Sequence, residues 1–115
     1  GRYLLRQRAA DERWAGLWDF PRFTIADSAS LVAILADGVR DQTGLTIDLG
    51  DEIATLKHSV TRYRITLRCF TATISSGRLR TADTLRWVAP AEFIDYPLSV
   101  TGRKLAERLC EGLLK

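Results

Sequence analysis

From Arg62 to Ile74 the chain alternates between apolar and polar residues. Tyr63, Ile65, Leu67 and Cys69 fall on one side of an extended backbone, and Arg62, Arg64, Thr66 and Arg68 on the other. A period of two marks a strand with one buried and one wet face, which commits the chain to a sheet. Around it the pattern reads strand, helix, strands, helix. Arg2 to Arg8 is a strand ending in a polar turn over 9–13, and the aromatic-rich segment Trp14 to Pro21 is a packed loop or short strand. A helix is predicted from about Ala29 to Thr43, with Asp27 or Ser28 as N-cap. Its apolar face is Leu31, Ile34, Leu35, Gly38 and Val39, and Gly44 stops it. Ile47 to Lys57 reads as a strand interrupted near Gly50, 75–78 as a turn and Arg86 to Val88 as a short buried strand. Ala91 to Asp95 makes one helical turn. A last helix runs from about Ser99 to Leu113, with Thr101, Leu105, Arg108, Leu109 and Gly112 on one side. This order points to an α+β domain with a mixed sheet flanked by two main helices.

A length of 115 residues suits one domain, and 46% hydrophobic with 27% charged residues is the make-up of an ordinary globular chain. The apolar run around Val32 to Leu35 falls far short of the ~20 residues of a membrane span, and no basic segment followed by an apolar one is visible in the first residues, so a secretory signal is not expected. Cys69 and Cys110 lie far apart without C-x-x-C spacing, so reduced thiols and an intracellular protein are expected. Methionine is absent, and Tyr3, Leu4 and Leu5 already read as strand. The chain is therefore expected to be a piece, 1–115, excised from something longer.

The net charge of +3 hides a dipolar distribution. Residues 53–82 contain no acid and six basic residues: Lys57, Arg62, Arg64, Arg68, Arg78 and Arg80. Residues 26–52 carry six acids against the single Arg40. A basic stretch is the footprint of phosphate binding, or else the solvated face of a strand. With one histidine, His58, and two distant cysteines, no zinc site is expected. No G-x-S-x-G elbow, Walker A loop or G-x-G-x-x-G loop is present, so no self-sufficient catalytic constellation is legible.

Three segments resemble a known family. Trp14-Ala-Gly-Leu-Trp-Asp-Phe-Pro21, preceded by Tyr3-Leu-Leu-Arg-Gln-Arg8, is similar to the opening of the C-terminal domain of MutY-type adenine DNA glycosylases. Lys57-His-Ser-Val-Thr-Arg-Tyr63 stands where that domain carries H-x-F-S-H. Arg86-Trp-Val88, Ala91-Glu-Phe93 and Arg103-Lys-Leu105 resemble its closing segment. The resemblance implies a Nudix-like fold, so the Nudix box G-x5-E-x7-R-E-U-x-E-E-x-G-U can be laid on the chain. Gly44-Leu45 fits its closing pair. The two metal-binding acids fall on Asp41 and Gln42, the earlier R-E on Asp37-Gly38, and the first Gly and Glu on Phe23 and Ala29. Magnesium chemistry needs carboxylates gathered on that helix, and one remains at a ligand position. The expectation is a domain without catalysis or metal of its own.

In the glycosylases this domain helps recognise 8-oxoguanine opposite adenine in base-excision repair. Carried over by position, the loop's Phe, Ser and second His become Val60, Thr61 and Arg62, with His58 as the first His. Val60, Thr61, Arg62, His58 and Arg64 are therefore the expected lesion-binding residues. Trp14, Trp18, Phe20 and Trp87 are expected in the core. The resemblance further implies duplex DNA holding the lesion and an upstream helical catalytic domain as partners. It also implies an iron–sulfur cluster in the parent protein, none in this domain, and a monomer in the bacterial cytoplasm. Two other readings are carried: a stand-alone magnesium-dependent Nudix hydrolase of oxidised nucleotides, and a protein-interaction module docking through the acidic helix 29–43.

Overall fold

A computed structural model describes residues 2–25, 30–60 and 62–113, leaving out the side chains of residues 60, 63, 112 and 113. The chain divides into two units, Gly1–Arg22 with Thr81–Lys115, and Phe23–Arg80.

In the first unit, β1 (Tyr3–Gln7) lies between β2 (Trp18–Asp19) and a later strand, Leu85–Val88, antiparallel to both. A 3₁₀ turn, Pro90–Asp95, and a C-terminal helix, Val100–Leu113, complete it. Its core gathers Leu5, Val88, Phe93, Leu98 and Ala106, with Trp18 and Phe20 packed against them. Phe20 meets Phe93 edge-on at 5.7 Å and Trp18 meets Tyr96 at 5.2 Å. A fully buried leucine such as Leu5 contributes roughly 1.5–3 kcal/mol, so this cluster holds the unit together. Trp18 and Phe20 are core, as expected. Trp87 is not: Leu85 and Val88 turn inward while Trp87 stays 38% exposed. Asp19, 3% exposed, ties β2 to the C-terminal helix. Its carboxylate accepts from the Phe20 backbone N–H at 2.9 Å, from Ser99 Oγ at 2.8 Å and from Arg22 at 3.1 Å. Ser99 also caps that helix, accepting from the Gly102 N–H at 3.0 Å. The helix buries Thr101, Gly102 and Ala106 and leaves Arg108 exposed, a face rotated from the one the apolar spacing suggested.

The turn between β1 and β2 is braced by Glu12, which accepts from both Arg6 nitrogens at 3.0 and 2.5 Å and from the Ala9 N–H at 2.9 Å. The Arg6 guanidinium foremost, with the Ala9 N–H, holds the Glu12 carboxyl at about 2 instead of 4.5. A depressed carboxyl stabilises the fold fully above its unfolded value and loses that contribution as pH falls toward 2. Glu12→Gln should cost about 1–2 kcal/mol at pH 7. It should also flatten the fall in stability between pH 4.5 and 2, read by urea midpoints across that range. Equal slopes for the two proteins would rule the assignment out.

In the second unit, α1 (Leu31–Thr43) packs on β3 (Leu45–Val60), which pairs antiparallel with β4 (Tyr63–Gly77). Ser30 caps α1, its Oγ accepting from the Ala33 N–H at 3.5 Å. The proposed caps Asp27 and Ser28, and the proposed start at Ala29, lie outside the described residues. Leu31, Ile34, Leu35, Gly38 and Val39 do form the inward face. At the other end Gly44 turns left-handed at φ 84°, and its N–H donates to the Arg40 carbonyl at 2.9 Å. The interruption expected at Gly50 is a set of register shifts between Leu49 and Ala54 inside one continuous strand. Beyond it the alternation holds: Ile65, Leu67 and Cys69 share the covered face, and Arg64, Thr66 and Arg68 the wet one. Residues 75–77, read as a turn, extend β4 against the start of β3. The first unit's strand Leu85–Val88 is β5 and its helix Val100–Leu113 is α2.

Candidate functional site

The Nudix-box positions converge on α1. Asp37 is exposed and held by Arg40 one turn on, at 2.6 Å. Asp41 is exposed. Gln42 Oε1 is buried and takes no hydrogen bond from the described residues, which leaves an unpaired neutral acceptor inside the fold. Gly38 stands where the pattern has glutamate, and the ring of Phe23 stands over it. A Cβ built on Gly38 would meet Phe23 Cε1 at 2.7 Å and Cδ1 at 2.8 Å. Phe23 itself occupies the pattern's first glycine position. The two departures are therefore one exchange: a ring has arrived where the pattern has glycine, and the side chain beneath it has gone. The pairing of a gained ring with a lost side chain is visible in the sequence only once Phe23 and Gly38 are known to touch.

The end of α1 is finished by an arginine from after β4. Arg80 donates from its backbone N–H to the Thr43 carbonyl at 2.8 Å and from Nη1 to the Asp41 carbonyl at 2.6 Å. A cation there satisfies open carbonyls and complements the helix dipole. Arg68 is likewise engaged: it grips Glu52 with two bonds at 3.1 and 3.0 Å and lies 5.2 Å over Phe70. Glu52 in turn sits below the usual carboxylate range, chiefly because of that guanidinium. Two of the six cations in the basic stretch are thus structural.

The expected lesion-reading residues sit at the far end of the β3–β4 hairpin. His58 pairs with Ile65 and is half-buried on the covered face, beside Leu56 and Leu67. Arg64 pairs with Ser59 on the opposite, wet face, and Arg62 is exposed in the turn. Val60 pairs with Tyr63 through the backbone, and Thr61 lies outside the described residues. The hairpin brings these residues to one end but sends the His58 and Arg64 side chains to opposite faces. Among the described residues no three His, Cys, Asp or Glu gather to hold a metal, and no helix is long and apolar enough to cross a membrane.

Comparison with known proteins decides between the readings. A NUDIX domain family matches residues 1–108. The chain is 28% identical over 109 residues to CTP pyrophosphohydrolase of Escherichia coli, covering 93% of this chain and 81% of that protein. The solution structure of the E. coli ORF135 protein superposes with a TM-score of 0.77 at 26% identity, over 96% of this chain and 81% of that one. The MutT protein of Methanosarcina mazei superposes at 0.76 and 23% identity, over 100% of this chain and 87% of that one, which shows the fold. The α+β, Nudix-like architecture expected from the sequence is therefore correct.

The assignment to a glycosylase C-terminal domain is overturned by the same matches. With it go the DNA-repair role, the partners expected from it (lesion-bearing duplex and an upstream catalytic domain) and the expectation of a domain without catalysis. The reason lies in what carried the resemblance. Trp18, Phe20, Val88 and Phe93 belong to the core of the first unit or pack against it, so these residues report how the fold packs and not what it binds. With the family match spanning nearly the whole sequence, the chain belongs to the Nudix family.

Proposed function

We propose that this protein hydrolyses a phosphoanhydride bond of a nucleoside triphosphate. Water adds to one phosphorus, the bridging oxygen leaves, and a monophosphate and pyrophosphate result. The observation that carries the reading is the similarity to CTP pyrophosphohydrolase along 93% of the chain. The junction of α1, Gly44 and β3, where the box closes, supports it.

The fold family implies magnesium, and the residues present do not fit a resident ion. Magnesium keeps an octahedral shell of hard oxygens and is held through one or two carboxylates plus substrate phosphates. Here α1 offers the single carboxylate of Asp41, since the amide oxygen of Gln42 is buried, Asp37 is paired with Arg40 and Gly38 lies under Phe23. Divalent metal therefore belongs to the substrate, which arrives as its magnesium complex. Asp41 is the carboxylate left on the helix to orient substrate or water.

The test is release of pyrophosphate and nucleoside monophosphate from CTP and the other triphosphates at millimolar magnesium. Product should form slowly, and Asp41→Asn should lower the rate at least about tenfold, roughly 1.4 kcal/mol of barrier. Nucleotide bound without any release of pyrophosphate would overturn the proposal.

A further inference from the structure

Trp14 is the one non-glycine residue with positive φ among the described residues, at 59°. A bulky residue held there costs about 1–3 kcal/mol, so its surroundings must fix it. The polar turn does so: the Gly16 N–H donates to the Arg8 carbonyl at 2.9 Å, the Leu17 N–H to the Trp14 carbonyl at 3.2 Å, and Arg8 Nε to the Arg13 carbonyl at 2.6 Å. The consequence is a half-buried indole to which three guanidinium groups converge. Arg22, Arg8 and Arg13 place their central carbons 5.3, 5.6 and 5.7 Å from the ring centre.

Gathering like charges around one ring is unfavourable unless something offsets it. The ring face supplies part, on the order of 0.5–1 kcal/mol per cation. Carboxylates supply part as well: Arg8 and Arg22 share Asp19 at 3.7 and 3.1 Å, Arg6 and Arg8 share Glu12, the latter at 3.8 Å, and Arg22 also donates to Thr101 Oγ1 at 2.8 Å. Counting the exposed Asp11, residues 6–22 hold four arginines and three acids, so positive charge remains in excess. The Arg8 and Arg22 side chains are only 14% and 17% exposed, so water screens them poorly. Planar guanidinium forks on a rigid turn match the oxygens of phosphate as they match those of a carboxylate.

We propose that the β1–β2 turn around Trp14 is an oxyanion site that takes the phosphate groups of a nucleotide, with Arg8, Arg13 and Arg22 as its cations. An oxyanion is held there whether or not it is cleaved, so the proposal does not stand or fall with hydrolysis.

The experiment is a titration with inorganic pyrophosphate, and separately with CDP, in EDTA at low salt, followed by NMR of the Trp14 indole and arginine Nε–H signals. EDTA removes turnover. Both ligands should move these signals with Kd of about 1 mM or tighter, weakening with added salt. Arg13→Gln, at an exposed position, should weaken binding about tenfold or more while the urea midpoint falls by no more than the roughly 1 kcal/mol that one cation on the ring contributes. Arg64→Gln on the hairpin should leave binding unchanged. Shifts confined to residues 57–64, or an Arg13→Gln protein that binds pyrophosphate like the parent, would overturn the site.

Discussion

Gly38→Glu should destabilise the second unit by about 1–3 kcal/mol, the cost of forcing extra atoms into filled space. The expected sign needs an argument, because glycine inside a helix costs roughly 0.5–1 kcal/mol relative to alanine and any side chain recovers some of that. Here the steric side wins. The new Cβ would sit 2.7–2.8 Å from two atoms of the Phe23 ring, closer than carbon atoms approach, before the carboxylate is placed at all. Phe23→Gly alone should also be destabilising, since it uncovers α1 and loses the burial of the ring. In the double variant the ring no longer opposes the glutamate. Its cost should therefore fall short of the sum of the two single costs by at least about 1 kcal/mol, the coupling expected of residues in contact. Urea denaturation of the four proteins measures this, and a Gly38→Glu protein as stable as its parent would sink the idea. Adding Gln42→Glu then sets carboxylates at 38, 41 and 42 within one turn of helix. That protein should bind Mn²⁺ detectably by electron paramagnetic resonance and release pyrophosphate from triphosphates at least about tenfold faster than the parent.

Asp19→Asn should cost the first unit about 3–5 kcal/mol, the loss expected when one partner of a buried ion pair is removed. The carboxylate is almost wholly enclosed and accepts from a backbone N–H, a hydroxyl and a guanidinium. An amide in its place turns two donors toward groups that are themselves donors. The site admits no easy rearrangement: a Cβ on Gly102 would already stand 2.8 Å from Asp19 Oδ1 and 2.9 Å from Ser99 Oγ, so the helix has been pared back to seat the carboxylate. An anion at that end of α2 is also favoured by the helix dipole. Set against the 5–15 kcal/mol total of an ordinary domain, the loss is large. Pairing Asp19→Asn with Arg22→Gln should cost less than the two changes summed, because the second removes the charge that the first leaves unpaired. A shift in urea midpoint worth less than about 1 kcal/mol for Asp19→Asn would contradict this account.

Much of the architecture was legible before any coordinates. The alternation after Arg62, the apolar face of α1 and the glycine that ends it are local signals, each set by residues within one or two turns or one pleat of each other. Ambiguity began where a residue's partner is distant in sequence. Arg80 belongs to a basic stretch that reads either as a phosphate footprint or as a solvated strand face, and instead it closes α1, 39 residues back. Arg68 is held by Glu52, 16 residues away. The glycosylase assignment failed for a related reason: its most specific segment lines a core, and core residues follow the fold whichever ligand a domain of that fold takes.

By itself, the sequence determined the helices, the strands, their order and hence the class of fold, because periodicity and capping act over short separations. Only the tertiary structure decided which arginines are bound to carboxylates or to the end of a helix, why residue 38 carries no side chain and why Trp14 stands among three cations. Those outcomes rest on excluded volume and charge pairing between segments, and neither has a signature in the spacing of residues along the chain.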